Sequence, residues 1–238
     1  MINILNKNII NLTKKHAFTL AEILITLGII GVVAAITMPT LIKNYKAIVL
    51  RSQFNKAYTS FAQATQMILT QEFDNNPNLF EETNVSDLLN YYQKHMRKAV
   101  KCDKYDICPT NIFPKAYNGD LGSTFVAENY KTYTGYEMYI YYISDSYIVL
   151  QDNTFAIIDN GNPKKYITID INGWRKAPNK LGHDFFMFQI VDGVLKPMGA
   201  EGTNAMWNVC SKTSNSSLNG RGCTAKALSD KYYFKNLP

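Results

Sequence analysis

The sequence predicts an α+β protein in which a long N-terminal helix packs against an antiparallel β-sheet. Three observations predict this fold: an apolar run over residues 18–42, a helical hydrophobic period that continues to about Gln71, and short β-rich segments from about Tyr136. The chain has 238 residues, of which 46% are hydrophobic, so it can build one core beyond the apolar run. We therefore expect a single head domain carried by an anchoring helix.

The apolar run has the length of a membrane-spanning helix. As an α-helix, residues 18–42 would exceed the roughly 30 Å of a bilayer's hydrocarbon core. A secretory signal peptide has a shorter apolar region, of about 7 to 15 residues, followed by a small-residue cleavage site. Ala34 and Ala35 would suit such a site, but the apolar run continues past them. The pattern favours a helix that stays in the membrane.

Glu22 is the single charged residue of this run. An ionised carboxylate inside a bilayer costs at least about 2.5 to 3.5 kcal/mol unless it has a partner or reaches water. A position close to the membrane surface would explain why the carboxylate is tolerated, but it would not explain the residues around it. Those residues form a basic segment followed by an apolar one, Lys14-Lys15-His16-Ala17-Phe18-Thr19-Leu20-Ala21-Glu22.

This segment resembles the N-terminus of type IV prepilins and type II secretion pseudopilins. In that family a short basic leader is removed before a Phe, and the new N-terminus is methylated. The resemblance implies cleavage between Ala17 and Phe18, although the family usually has Gly where this chain has Ala17. It also implies that Glu22 meets the N-terminal amine of a neighbouring subunit, because such a pair would neutralise both charges in an apolar filament.

The resemblance further implies how the chain is organised and what it does. Residues 1–17 would be a cytoplasmic leader, residues 18–42 the transmembrane and assembly helix, and residues 43–238 an extracytoplasmic head that includes the amphipathic half of the helix, 43–71. The chain would be a single-pass inner-membrane protein and a structural subunit of a type IV pilus-like or type II secretion pseudopilus filament. Its partners would be a prepilin peptidase/N-methyltransferase, other pilin or pseudopilin subunits, an inner-membrane assembly platform and, before assembly, the lipid bilayer. The alternative is a minor pilin acting as a surface binding module, an adhesin or a DNA-uptake pilin.

The long helix carries a proline and, beyond the membrane run, an apolar stripe. Pro39 removes a backbone hydrogen bond and clashes with the preceding turn, so we expect a kink and local unwinding near residues 35–39. A sheet or another helix must cover the stripe, and residues 74–78 supply a helix break. The stripe recurs at spacings of three and four residues: Leu50, Phe54, Ala57, Phe61, Ala64 and Ile68.

A second helix and a set of hairpins are predicted after the break. Ser86 suits the N-cap of the helix, whose buried face would hold Leu88, Leu89, Tyr92, Met96, Ala99 and Val100. The tail from Gly199 is rich in Ser, Asn and Gly, which predicts irregular structure pinned by a disulfide. The predicted strands are separated by turn residues and comprise residues 136–143, 147–151, 154–159, 166–171 and 185–191.

All four cysteines, Cys102, Cys108, Cys210 and Cys223, follow the membrane run. This position suits an oxidising exterior and places the C-terminal side outside the cytoplasm. Of the three possible pairings, we predict the local one, Cys102 with Cys108 and Cys210 with Cys223, since it closes the shortest loops and would contribute about 2 and about 3 kcal/mol. Neither pair has the tighter C-x2-C spacing typical of zinc sites.

The head offers candidate ligands for calcium. Asp170 and Asn172, followed by Asp184, lie in a segment that resembles one found in pseudopilin-like heads, and their oxygens would suit a calcium ion. The same residues fit an Asn-Gly β-turn followed by a loop, which is the interpretation we favour. The sequence therefore predicts no cofactor, with calcium as the alternative.

Nucleic acid is not an expected partner. The basic cluster over residues 94–104, with Tyr91 and Tyr92, would suit phosphates and bases, but a solvated helix face explains the same residues. The net charge of +6 includes three lysines in the leader and is too mild to indicate nucleic acid by itself. Seven tyrosines over residues 130–147 suit either a core or a contact surface with a subunit or a sugar.

The sequence does not predict an enzyme. Only His95 and His183 follow the predicted cleavage site, and no nucleophile elbow, P-loop, HExxH or dinucleotide-binding glycine motif is present. His183 and Asp184 are neighbours in sequence, which does not by itself bring their side chains together.

Overall fold

The structure, a computed structural model, describes residues 19–103, 126–141, 143, 145–161 and 163–238. The chain divides into two compact units, Met1–Lys43 and Asn44–Pro238. Helix α1, Leu20–Gln71, belongs to the first unit up to Lys43 and to the second unit from Asn44.

The described part of the first unit is helical and apolar. Nearly all of its side chains are exposed, including large ones such as Leu24, Ile30 and Leu41. By length and composition, α1 is long and apolar enough to cross a membrane, with a mean hydropathy of 2.3 in its most apolar window. The helix is continuous through Pro39, so the expected local unwinding is not present, and the kink stays a prediction.

The second unit begins with the amphipathic part of α1, which confirms the predicted stripe. All the residues predicted for the stripe of α1 are buried except Leu50, which is half-buried. Turns over residues 72–77 lead to helix α2, Asn78–Glu82, and helix α3, Val85–His95. The N-cap of α3 is Asn84 rather than the predicted Ser86, because the extended backbone of Asn84 lets its Oδ1 accept from the backbone N–H of Asp87 at 2.9 Å.

A six-stranded antiparallel sheet forms the rest of the head in the described residues. Each strand pairs with its neighbours in sequence, so the spatial order is β1-β2-β3-β4-β5-β6. The Asp192-Gly193 turn between β5 and β6 has positive φ at both residues, as two-residue hairpin turns require. The strands are β1 Val100–Asp103, β2 Ser146–Val149, β3 Phe155–Gly161, β4 Lys164–Asp170, β5 Phe185–Val191 and β6 Val194–Pro197.

Four of the five predicted strands are present, and one prediction is wrong. Among the described residues of the 136–143 segment, no strand forms, and only an isolated bridge joins Glu137 to Lys131. Its backbone groups bond to the tail instead: the Tyr139 N–H donates to the Ser217 carbonyl at 3.0 Å, and the Arg221 guanidinium donates to the Tyr139 and Tyr141 carbonyls. Strands β1 and β6 were not predicted.

Both faces of the sheet are buried. One face packs on α1, where the Phe54 ring lies 4.6 Å from that of Phe186 and 5.8 Å from that of Phe234. The other face contributes Phe155 and Phe185 to a second cluster. The tail is more regular than predicted, because it contains helix α4, Cys223–Ser229, and short 3-10 helices over Ala205–Trp207 and Tyr233–Lys235.

Candidate assembly helix and polar loop of the head

Glu22 lies in the first turn of α1 and forms a capping box with Thr19. The Glu22 Oε2 accepts from the Thr19 backbone N–H at 2.8 Å and from the Thr19 hydroxyl at 3.0 Å. In return, the Glu22 backbone N–H donates to the Thr19 Oγ1 at 3.2 Å. The pattern Thr-x-x-Glu is the sequence signature of this motif, and it could have been found before the structure. Within the chain, the glutamate therefore stabilises the beginning of its own helix.

Two threonine hydroxyls within the membrane-length part of α1 bond to their own helix. The Thr26 hydroxyl donates to the Ile23 carbonyl and the Thr37 hydroxyl to the Val33 carbonyl, both at 2.9 Å. Such bonds satisfy these two hydroxyl donors without water, as a hydrocarbon environment would require. The predicted cleavage and methylation residues, Ala17 and Phe18, lie outside the described residues.

One predicted disulfide is present. Cys210 is bonded to Cys223, which ties the loop after the first 3-10 helix to the beginning of α4. Cys102 belongs to β1 through its backbone, whereas Cys108 lies outside the described residues. The pairing of Cys102 with Cys108 stays a prediction.

The structure brings the predicted calcium ligands together after β4. The Asp170 Oδ1 accepts from the backbone N–H groups of Asn172 and Gly173 at 3.1 and 2.8 Å. Its Oδ2 accepts from the Tyr130 hydroxyl at 2.6 Å. Asp170 thus holds the turn at Asn172 and Gly173 in place and anchors the Tyr130 ring to the sheet.

Asp184 holds the other end of this loop. Its Oδ1 accepts from the Lys180 N–H at 2.8 Å, and its Oδ2 accepts from the Asn179 N–H at 3.0 Å and from Asn172 Nδ2 at 3.4 Å. All four oxygens of Asp170 and Asp184 therefore already accept hydrogen bonds. No group of three or more His, Cys, Asp or Glu side chains suited to a metal occurs in the described part of the chain. This geometry argues for a turn-stabilising role, and calcium binding stays a prediction.

Burial dominates the electrostatics of the loop. It raises the pKa of Asp170 to about 7, helped by repulsion from Asp184 and opposed by the hydrogen bonds from Tyr130, Asn172 and Gly173. It raises the pKa of Asp184 to about 6, opposed by hydrogen bonds from the loop backbone and from Asn172. Both groups therefore ionise at a higher pH than an exposed Asp.

His183 and Asp184 do not form a catalytic pair. The His183 Nε2 lies 2.9 Å from the Tyr133 carbonyl, whereas the Asp184 carboxylate bonds to the loop backbone. Burial lowers the pKa of His183 to about 4, so its ring is neutral at physiological pH. The hydrogen bonds of His183 and Asp184 therefore hold the loop in place.

The basic cluster after α3 lacks one of the aromatic residues expected to stack on bases. Tyr92 is fully buried, and its hydroxyl lies 2.5 Å from the Thr65 Oγ1. Tyr91 is half-buried, with its ring 5.4 Å from that of Phe73. Glu72 pairs with Lys94 at 2.7 Å and with His95 at 2.8 Å, which neutralises part of the cluster.

The tyrosines divide between core and surface. Tyr136, Tyr139 and Tyr141 are about half exposed, and the rings of Tyr139 and Tyr141 lie 6.0 Å apart. Tyr142 lies outside the described residues. The buried ones are Tyr130, Tyr133 and Tyr147.

The N-terminal part of the chain matches a known family. Residues 12–38 match the family described as the prokaryotic N-terminal methylation motif. The matched range includes Ala17, Phe18 and Glu22 and ends just before Pro39. No curated protein and no solved structure gives a significant match to the chain.

Proposed function

We propose, from the prepilin-type cleavage and methylation motif of type IV pilins and pseudopilins that this chain carries, that it is a structural subunit of a type IV pilus-like or pseudopilus filament. A prepilin peptidase removes residues 1–17 and methylates Phe18. The mature chain is anchored in the inner membrane with its head outside the cytoplasm, and it then assembles through α1 with other subunits. The motif favours this structural role over an enzymatic one.

The exposed surface of α1 supports the proposal. Apolar side chains of the first unit point outward all around the helix, so they need lipid or neighbouring helices as surroundings. A helix of this kind can exchange lipid contacts in the membrane for helix contacts in a filament. The small residues Gly28 and Gly31 leave open space around their Cα atoms, which allows close approach of another helix.

Glu22 can serve both its own helix and a neighbouring subunit. Both hydrogen bonds that the Glu22 carboxylate accepts in the capping box use Oε2, and Oε1 accepts none from the described residues. This second oxygen is thus suited to the N-terminal amine of a neighbour, which would carry a positive charge at neutral pH. The capping box fixes the carboxylate at the beginning of the helix before assembly.

Mass spectrometry of the mature N-terminus tests the proposal directly. The protein is purified from membranes of its own host, with and without an active prepilin peptidase, and analysed intact and as N-terminal peptides. We expect a chain that begins at a methylated Phe18 only when the peptidase is active. A chain that begins at Met1 in both strains would overturn the proposal and make α1 a plain membrane anchor.

A further inference from the structure

A cavity of about 380 Å³ lies at one end of the sheet, where several loops meet. Lys98 enters it from the connection between α3 and β1, and Asn153 from the turn between β2 and β3. Residues 172–176, which follow β4, also line it. The volume is within the range of about 300 to 1,000 Å³ that is usual for small-molecule sites.

The charges around the cavity have one sign. Lys98, Arg175 and Lys176 line it, and all three side chains are exposed. The described lining residues include no Asp or Glu. Asp170 and Asp184 lie behind Asn172, but their oxygens accept hydrogen bonds from the loop and from Tyr130. The rim of the cavity is therefore complementary to a negatively charged ligand.

The interior of the cavity is partly apolar, so a ligand that fits it needs an apolar face as well as a negative charge. Val149, Phe155 and Trp174 give it an apolar wall, and the Arg175 guanidinium lies 5.0 Å from the centre of the Trp174 ring. A bare phosphate or sulfate has no apolar face for such a wall. A sugar ring does, because its C–H groups pack against aromatic side chains while its hydroxyls stay available for hydrogen bonds.

Asn172 supplies an acceptor that lacks a donor. This residue lines the cavity and is only 9% exposed, and its Oδ1 has no hydrogen-bond partner in the described part of the chain. Its Nδ2 faces two acceptors, the Lys176 carbonyl and the Asp184 carboxylate, so the amide cannot be turned around without losing both bonds. A buried carbonyl oxygen without a donor is unfavourable. Because this oxygen is itself buried, Asn172 shapes the wall of the cavity rather than contacting a ligand.

We propose that this cavity binds an acidic saccharide, with the carboxylate at Lys98 and Lys176 and the ring against Trp174. A second cavity, of about 420 Å³, shares Leu150 and Gln151 with the first and would take the next sugar unit. It is also lined by basic residues, among them Arg97 and Lys56, the latter paired with Asp152 at 2.6 Å. The site does not depend on filament assembly.

Isothermal titration calorimetry of the full chain in detergent micelles tests the site. The probe is trigalacturonic acid, and its neutral methyl ester is the matched ligand without charge. The double variant Lys98→Asn with Lys176→Gln removes the two lysines, and Asn suits position 98 because φ there is +58°. The matched control is Lys164→Gln, an exposed lysine at the other end of β4, about 20 Å away along the strand.

We expect saturable binding of the acid that weakens about tenfold or more in the double variant and is unchanged in Lys164→Gln, because each lost charge-assisted hydrogen bond weakens a complex severalfold. We expect the ester to bind at least tenfold more weakly than the acid.

Three results would each overturn the proposal: no binding of the acid at millimolar concentration, equal binding of acid and ester, or a double variant that binds like the native chain. Oligo(dT) or inorganic phosphate binding as tightly as the acid would overturn it in favour of a general anion site. Each of these outcomes is independent of the mass of the mature N-terminus.

Discussion

At the scale of single residues, Glu22 has two separable roles. Its carboxylate completes the capping box with Thr19, and we propose that its charge pairs with the amine of the next subunit. Gln preserves a capping box but carries no charge, whereas Thr19→Ala removes the Thr hydroxyl and preserves the charge. The two substitutions therefore distinguish a helix-capping role from an assembly role.

We expect Glu22→Gln and Glu22→Ala to insert into the membrane and be cleaved, yet to be nearly absent from filaments. Removing one partner of a desolvated ion pair costs about 3 to 5 kcal/mol, which is large for each subunit contact. Thr19→Ala should assemble much better than either, since the loss of an N-cap costs only about 1 kcal/mol. Immunoblots of membrane and sheared-filament fractions measure both properties. Filaments of Glu22→Gln at native levels would show that the charge is not needed.

Asp170 and Asp184 make the stability of the head depend on pH. Burial raises the pKa of both carboxyls, to about 7 and about 6, from a value near 3.8 in the unfolded chain. Between pH of about 4 and 7 the folded state therefore binds more protons than the unfolded state. The stability of the folded state is greatest below this window and falls as the pH rises through it.

We expect Asp170→Asn to flatten this pH dependence. Asn keeps an acceptor for the N–H groups of the 172–173 turn but cannot ionise, and it removes the repulsion on Asp184. Because the pKa of Asp170 is about 7 in the folded state and near 3.8 in the unfolded state, the stability should change by on the order of 3 kcal/mol between pH 5 and pH 8, which is measurable. Urea unfolding of the full chain in detergent at pH 5 and pH 8 provides the test. Asp192→Asn, at an exposed turn residue with positive φ, is the control that should keep the native pH slope.

The sequence predicted residues whose role follows from local pattern and missed those that depend on distant contacts. Cys210 and Cys223 are paired as their short separation indicated. Asn84, rather than Ser86, caps α3, and both residue types favour N-caps, so only the backbone conformation distinguishes them. The role of Arg221, a buried residue that bonds to two carbonyls some 80 positions earlier in the chain, has no local signal.

At the scale of elements, the second part of α1 and the sheet depend on each other. The stripe of α1 is buried against one face of the sheet, and Phe54 is at the centre of an aromatic cluster with Phe186, Phe188 and Phe234. The periodicity of this stripe was readable from sequence because it follows the helix repeat. The edge strands β1 and β6 were not predicted, because each is a short segment at the edge of the sheet that is defined by a single pairing partner.

Phe54→Ala should destabilise the head without affecting the membrane part of α1. Truncating a fully buried Phe costs about 3 to 5 kcal/mol, which lowers the melting temperature of a unit of this size by on the order of 10 °C. Thermal unfolding followed by circular dichroism in detergent measures the shift. The control is Ile48→Ala on the same helix, since the Ile48 side chain is 64% exposed. A similar shift in both variants would mean that the sheet does not bury Phe54 more than Ile48.

At the scale of the whole molecule, the exposed surface changes its character at the boundary between the two units. The described side chains before Lys43 are exposed and mostly apolar, whereas the first buried residue of α1 is Ala47. The change from an all-round apolar helix to a one-sided one is visible in the sequence, because it follows from hydropathy alone. The sequence could not predict what the head binds, since the lining residues of the cavity come from separate loops.

The strand order of the head has a consequence for how the chain becomes folded. Because every strand lies beside the one that precedes it in sequence, a chain delivered from its N-terminus across a membrane can add each strand to a partner that has already arrived. Phe234 follows all six strands in sequence and contacts Phe54, which precedes them. In a head that formed strand by strand, the aromatic core around Phe54 would be closed last.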